Sequence, residues 1–244
     1  MNMDKKVILI TGCLGGIGSS LVDFFKEEGW FVIGTDKRES FSNADIKITT
    51  DLYSVDDAVN TIEKKIFEAG LTKIDALINN AAVQVKKKFN EFMYEDWHES
   101  VNVNIIAAFM LVQKLHKYLS GGSVVNIGSI HAAQSKKDFI IYATTKGAIK
   151  TMTQNLSLEL APDIMVNCIA PAAIDTPMLK AGLTKEEYNQ LKQFHPADMI
   201  GDPRELARLI KTLCERNIFL TGAYIEYDGG ISKLLHDPGS TQLK

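Results

Sequence analysis

The sequence predicts an α/β fold: a single domain on a doubly wound parallel sheet of about seven strands, with helices on both faces. Three observations predict it. Short β-branched runs alternate with longer stretches of helical period. The strand runs are apolar throughout, as strands covered by helices from both sides must be. No Pro-, Gly- or Ser-rich linker divides the 244 residues and no segment repeats, so 1–244 reads as one unit.

The elements follow in order. Val7 to Ile10 reads as a fully apolar strand, and Leu21 to Glu28 as a helix that Gly29 can end. Phe31 to Ile33 and Ile46 to Ile48 are the next strands. Val55 to Ala69 is helical, with Val55, Ala58, Val59, Ile62 and Ile66 on one face. Ala76 to Ile78 is a fourth strand. One long helix is expected over Glu95 to Tyr118. Val124 to Ile127 is a strand, Tyr142 to Leu160 a helix and Met165 to Ile169 a strand. Pro203 suits the first turn of a helix reaching Glu215. Tyr224 to Tyr227 is the last strand, and a loose tail follows Leu234. Residues 178–200, with Leu183, Tyr188, Leu191 and Phe194 among charges, read as a helical lid.

Composition excludes several classes. The net charge is −3, with 27 Lys plus Arg against 30 Asp plus Glu, so no domain-wide cationic surface draws nucleic acid. Cys13, Cys168 and Cys214 lie far apart, with no pair or cluster at metal spacing; neither a disulfide framework nor a bound metal is expected. The longest apolar run, Ile105 to Val112, is too short to span a bilayer. The first residues lack the apolar core of a secretory leader. A cytoplasmic location is expected.

Chemistry begins after the first strand, at Thr11-Gly12-Cys13-Leu14-Gly15-Gly16-Ile17-Gly18. Glycines let the backbone turn sharply and approach a ligand. The helix behind them offers free N–H groups and a positive dipole end to a pyrophosphate. Strand, glycine turn and helix together form a Rossmann-type dinucleotide site. A Gly-Lys-Ser/Thr ending is missing, so the turn is not a nucleoside-triphosphate loop. Asp36 lies 18 residues past Gly18, near the separation of a ribose-binding acid. A carboxylate there favours NAD over NADP, although Lys37 and Arg38 offer cations to a 2′-phosphate.

Tyr142 and Lys146 share a helix face at i, i+4. A nearby ammonium lowers a phenol's pKa, making an acid–base pair suited to alcohol/carbonyl interconversion. Ser129 precedes Tyr142 by 13 residues, and a short excursion can bring the two together.

With these motifs in order, the sequence resembles the short-chain dehydrogenase/reductase family over nearly its whole length. Gly12, Leu14, Gly16, Ile17 and Gly18 match the cofactor turn, and Asp51-Leu52 the acid that meets the adenine. Asn79-Asn80-Ala81-Ala82 matches the fourth-strand motif, with Ala82 where the family usually has Gly. Pro171-Ala172 stands where Pro-Gly is common. Thr176 then matches the residue on the nicotinamide side, and the resemblance makes Ile174 a further cofactor-binding position. Asn104, Ser129, Tyr142 and Lys146 match the catalytic tetrad, Asn102 being a poorer match than Asn104. The resemblance implies that Tyr142 exchanges a proton with the substrate oxygen and that Ser129 steadies it. It implies that Lys146 lowers the tyrosine pKa and holds the ribose, and that Asn104 keeps a helix distorted so that a water links Lys146 to solvent.

For the substrate, the loops 83–92, 130–141 and 173–199 line the expected pocket. They carry Lys86, Lys87, Lys88, His131, Lys136, Lys137 and Lys180. Gln84, His131 and Lys180 resemble carboxylate-binding positions of 3-hydroxybutyrate dehydrogenases, but Phe139 replaces a lysine of that pattern. A histidine at position 131 also suits sugar dehydrogenases. The expected substrate is anionic or polyhydroxylated, a hydroxy acid or a sugar derivative. An NADPH-dependent 3-oxoacyl reductase and a dinucleotide-sensing regulator are the alternatives. The family also implies a homo-oligomer, tetramer or dimer, packed through small residues such as Ala107, Ala108, Ala143 and Ala148. His98, His116, His195 and His236 read as structural or surface residues.

Overall fold

The computed structural model describes residues 5–40, 42–215 and 219–234. Its sheet has seven parallel strands: β1 (Val7–Thr11), β2 (Phe31–Asp36), β3 (Ile46–Thr49), β4 (Ala76–Asn79), β5 (Ser123–Ile127), β6 (Met165–Pro171) and β7 (Tyr224–Tyr227). They lie in the order β3-β2-β1-β4-β5-β6-β7. The strand order reverses between β1 and β4, where doubly wound sheets open a crevice for ligands.

The alternation along β1 shows why helices cover both faces. Leu9 enters one core cluster with Ile33, Ile62, Leu77 and Leu111. Its neighbours Ile8 and Ile10 enter the other, with Leu21, Phe25, Ile78 and Ile210. Successive side chains of a strand point to opposite faces, so an apolar run needs a partner on each. On one side these partners are α1 (Gly16–Glu27) and α8 (Pro203–Cys214). On the other they are α2 (Val55–Glu68), α4 (Ala107–Leu115) and α5 (Ile140–Leu160).

Three elements differ from the sequence expectation. Helix α1 begins at Gly16, because the glycine turn itself forms the helix start. The long helix expected from Glu95 is interrupted: α3 (Tyr94–Val101) runs into a π turn at Asn102–Ile106 before α4, and a 3₁₀ turn covers His116–Tyr118. The lid region holds two short helices, α6 (Pro177–Ala181) and α7 (Lys185–Gln193), each opened by a threonine cap. The tail after Leu234 and His236 lie outside the described residues.

Buried amides tie the sheet to α5. Asn79 Nδ2 donates to Asn126 Oδ1 at 2.9 Å, and Asn126 Nδ2 donates to Thr153 Oγ1 at 2.9 Å. A strand pair is thereby fastened to the helix that carries Tyr142 and Lys146. Replacing Asn126 takes one hydrogen bond each from buried Asn79 and Thr153, which keep only their bonds to Ala108 O and Ile149 O. Asn126→Ala is therefore expected to lower unfolding free energy by about 2–4 kcal/mol in urea titrations.

Candidate active site

The carboxyl ends of the strands gather the residues that the sequence singled out. Thr11 closes β1, and Gly12 follows with φ 64°, a left-handed conformation that glycine adopts freely. The turn is held from β4. The backbone N–H groups of Asn80 and Ala81 both donate to Thr11 Oγ1 at 3.0 Å. Asn80 Nδ2 donates to the carbonyls of Thr11 (2.8 Å) and Gly12 (3.1 Å). A Cβ on Gly18 would lie 2.0 Å from Gly12 O, and one on Gly16 would lie 2.5 Å from Thr176 Cβ. Helix α1 starts with no side-chain cap and no acid in its first turn. Close-approach backbone and an uncapped positive helix end fit a dinucleotide pyrophosphate.

Asp36 ends β2 beside this turn. Its Oδ2 accepts from Leu14 N at 3.0 Å, and its Oδ1 accepts from Arg38 N (3.1 Å) and Arg38 Nε (3.0 Å). Burial pushes its pKa up, but these hydrogen bonds and the guanidinium outweigh it and hold the carboxyl below its usual range. Ile17 packs against the α1-side core. Asp51 is exposed and accepts from Tyr53 N, while Leu52 is buried. Pro171 ends β6, Ile174 is buried and bridges to Gly201, and Thr176 Oγ1 caps α6. Cys13 fills the turn as a buried thiol pushed up to about 11 by burial and by Asp36.

Ser129, Tyr142 and Lys146 come together between β5 and α5. Gly128 N donates to Ile169 O at 2.7 Å, which seats the end of β5 against β6. Ser129 Oγ accepts from His131 N at 3.2 Å and caps a 3₁₀ turn at Ile130–Ala132. Lys146 is buried, 5.6 Å from the Tyr142 ring centre, and donates to Ile127 O at 2.7 Å. Burial pushes its pKa down to about 8. Tyr142 is raised by burial, which a hydrogen bond from Ser129 only partly offsets. Burial thus keeps the Tyr142 phenol protonated, while Lys146 donates to the Ile127 carbonyl beside it.

Asn104 sits in the π turn, with its amide fully engaged. Its Oδ1 accepts from Val83 N at 2.8 Å, and its Nδ2 donates to Val83 O and Thr145 Oγ1, both at 3.0 Å. Thr145 Oγ1 donates in turn to Tyr142 O at 2.9 Å. This relay from the β4 loop to the tyrosine backbone was missed from sequence. Its partners lie 21 and 41 residues apart, and no local spacing signals it. Asn102 faces elsewhere, donating to Tyr53 O.

The expected substrate residues divide. His131 stacks on Phe139 at 4.9 Å and meets Tyr142 edge-on at 5.7 Å. Burial, and then Lys136, lower its pKa and favour the neutral ring. Gln84 is exposed on the β4–α3 loop. Lys180 does not reach toward the tyrosine: it pairs with Asp175 at 3.0 Å, and the same carboxylate accepts from Tyr188 of α7 at 3.0 Å. Lys87 pairs with Asp96 at 2.7 Å, and Lys136 lies 4.7 Å above the Phe139 ring. Ala107 and Ala108 are buried within the monomer, so they do not offer an interface.

A dinucleotide cradle beside a serine, a tyrosine and a lysine defines an oxidoreductase acting on CH–OH groups. The chain belongs to the short chain dehydrogenase family, whose sequence profile matches residues 6–187. An NAD-dependent glycerol dehydrogenase of Listeria innocua is 30% identical over 240 residues, covering 94% of both chains. A 3-oxoacyl-(acyl-carrier-protein) reductase of Aquifex aeolicus is 30% identical over 247 residues, 95% of this chain and 99% of its own. The ligand-free structure of Thermoplasma acidophilum aldohexose dehydrogenase superposes with a TM-score of 0.87 at 27% identity, over 96% of this chain and 97% of that one. Among the described residues no helix is long and apolar enough to cross a membrane, and no cluster suits a metal.

The depressed Lys146 pKa has a stability consequence. The folded value lies below the unfolded one of 10.5, so the ammonium costs the fold most below about pH 8. That cost fades as pH rises toward the unfolded value. The shift corresponds to roughly 3 kcal/mol. Lys146→Met is expected to stabilise the ligand-free protein by about 1–3 kcal/mol at pH 7, allowing for the lost bond to Ile127. The gain should shrink in denaturation curves taken between pH 8 and 10.

Proposed function

We propose that this protein is an NAD-preferring dehydrogenase that interconverts an alcohol and a carbonyl on a polyhydroxylated, sugar-type substrate. The observation that carries the reading is the wall at Tyr142: Ser129, an uncharged His131 and Phe139, with Lys87 and Lys180 each paired to a carboxylate and Lys136 resting on the Phe139 ring. Hydroxyl groups suit such a wall better than a carboxylate, which would need a free cation. The glycerol and aldohexose dehydrogenases among the relatives agree in substrate type.

In this reading the cofactor, when bound, takes up or supplies the hydride. Gly12 to Gly18 and the α1 start hold the pyrophosphate, Asp36 the adenine-side ribose, and Asp51 and Leu52 the adenine. Asn80, Ala81, Pro171, Ile174 and Thr176 shape the nicotinamide side. Tyr142 carries the proton to or from the substrate oxygen, and Ser129 hydrogen-bonds that oxygen. Burial keeps the phenol protonated at neutral pH, which suits it as the acid in carbonyl reduction. Lys146 would hold the second ribose. Helices α6 and α7 form the lid over residues 178–200, held by the Asp175 carboxylate through Lys180 and Tyr188. Three buried free thiols fit a reducing cytoplasm. Exposed Ile106, Phe109, Ile140 and Leu158 supply apolar surface for a homo-oligomer.

A second reading, an NADPH-dependent 3-oxoacyl reductase, is favoured by Arg38, whose guanidinium beside Asp36 could turn to a 2′-phosphate. A panel of polyols, aldoses, hydroxy acids and 3-oxoacyl thioesters with either cofactor separates the two. The expected result is at least about tenfold higher kcat/KM with NAD than NADP, and turnover on polyols or aldoses. Preference for NADPH and acyl thioesters would overturn the proposal. Tyr142→Phe is expected to abolish turnover while NAD binding, followed by fluorescence quenching, stays within about twofold of the parent.

A further inference from the structure

Tyr224 opens β7, at the edge of the sheet, with no place in the dinucleotide site or the tyrosine–lysine pair. Its hydroxyl nevertheless donates to the backbone carbonyl of Ser129 at 2.6 Å, across 95 residues of chain. The same carbonyl accepts from Ala132 N at 3.0 Å. Both lone pairs of the Ser129 carbonyl are thus occupied. Ser129 itself is extended, at φ −168° and ψ 153°. A peptide held at its carbonyl oxygen cannot rotate about ψ without breaking those bonds. The direction of the Ser129 side chain follows from that plane.

The ring is placed firmly enough to act as such a post. Tyr224 pairs in register with Cys168 of β6. Its side chain packs against the cluster of Ala108, Ile149 and Cys168, and its ring lies 3.5 Å from where a Cβ on Gly128 would stand. The Lys150 ammonium covers the ring at 4.7 Å from its centre. Burial, followed by Cys168, Glu226 and Asp228, pushes the phenol pKa well up, so it remains a donor across the working pH range.

We propose that Tyr224 is a positioning residue: its hydroxyl fixes the Ser129 peptide so that the Ser129 side chain meets the Tyr142 phenol and the substrate oxygen. The proposal rests on the catalytic reading of Ser129 and Tyr142 given above. It distinguishes an edge-strand tyrosine that merely packs from one that sets the acid–base pair through the serine.

Tyr224→Phe tests it, because only the hydroxyl is lost. With the preferred polyol or aldose and NAD, kcat is expected to fall about three- to tenfold. Cofactor Kd should stay within about twofold. The rising limb of the kcat–pH profile for alcohol oxidation should move to higher pH, since Ser129 lowers the Tyr142 pKa and a looser serine does so less. Mere packing would leave that limb in place. An unchanged kcat and limb, alongside an inactive Ser129→Ala control, would overturn the proposal while leaving the catalytic reading intact. A Tyr224→Phe protein that no longer folds or binds cofactor would overturn it too, because the hydroxyl would then serve the fold. A fully active Ser129→Ala control would show instead that the underlying reading had failed, and the proposal would fall with it.

Discussion

The site depends first on one hydroxyl. Thr11 Oγ1 receives two backbone N–H groups from β4 and passes its own proton toward Ile78 O. Around it Asn80 collects the carbonyls of Thr11 and Gly12. These bonds join β1 to β4 where the strand order reverses, so they close the gap that the topology opens. The glycine turn is held besides by its own bond, Gly15 N to Gly12 O, and from β2 by Cys13 N to Thr35 O and Leu14 N to Asp36 Oδ2. The helix end presented to an anion, the Asp36 carboxylate and the Gly16 surface under Thr176 are all referred to this joint. Asn80 therefore acts as a bracket for the cradle as well as a lining residue.

The second constraint is that the chemistry is buried against its own interest. An ammonium at Lys146 and an amide at Asn104 sit where water is scarce, and the half-buried Tyr142 lies beside them. The fold accepts this because each polar group finds a protein partner: Ile127 O for the lysine, Ser129 for the tyrosine, Val83 and Thr145 for the asparagine. The lysine ammonium, taken from water, keeps one hydrogen bond to a backbone carbonyl.

Much of this was legible in the chain. The seven strands follow from apolar runs whose residues must serve two faces, and β1 shows it directly in Leu9 against Ile8 and Ile10. Ser129, Tyr142 and Lys146 converge because their spacing is local to one strand, one loop and one helix. The less legible features join distant segments. The π turn has no signature in Asn102 to Ile106, since apolar periodicity there is continuous with a helix. Lys180 read as a free cation because its partner Asp175 has no sequence mark to distinguish it from a solvated acid. Tyr224 read as a strand residue, and only the packing of β7 on β6 brings it to Ser129.

The π turn at Asn102–Ile106 sets the phase of everything after it. An α-helix advances about 100° per residue, so one residue absorbed in a wider turn rotates the following segment by about that angle. Ala107, Leu111 and Leu115 of α4 face the core because of that phase. Removing one residue here would give a more regular helix and a worse protein, since the apolar stripe of α4 would swing off the sheet. The irregular turn thus works as a spacer of fixed length.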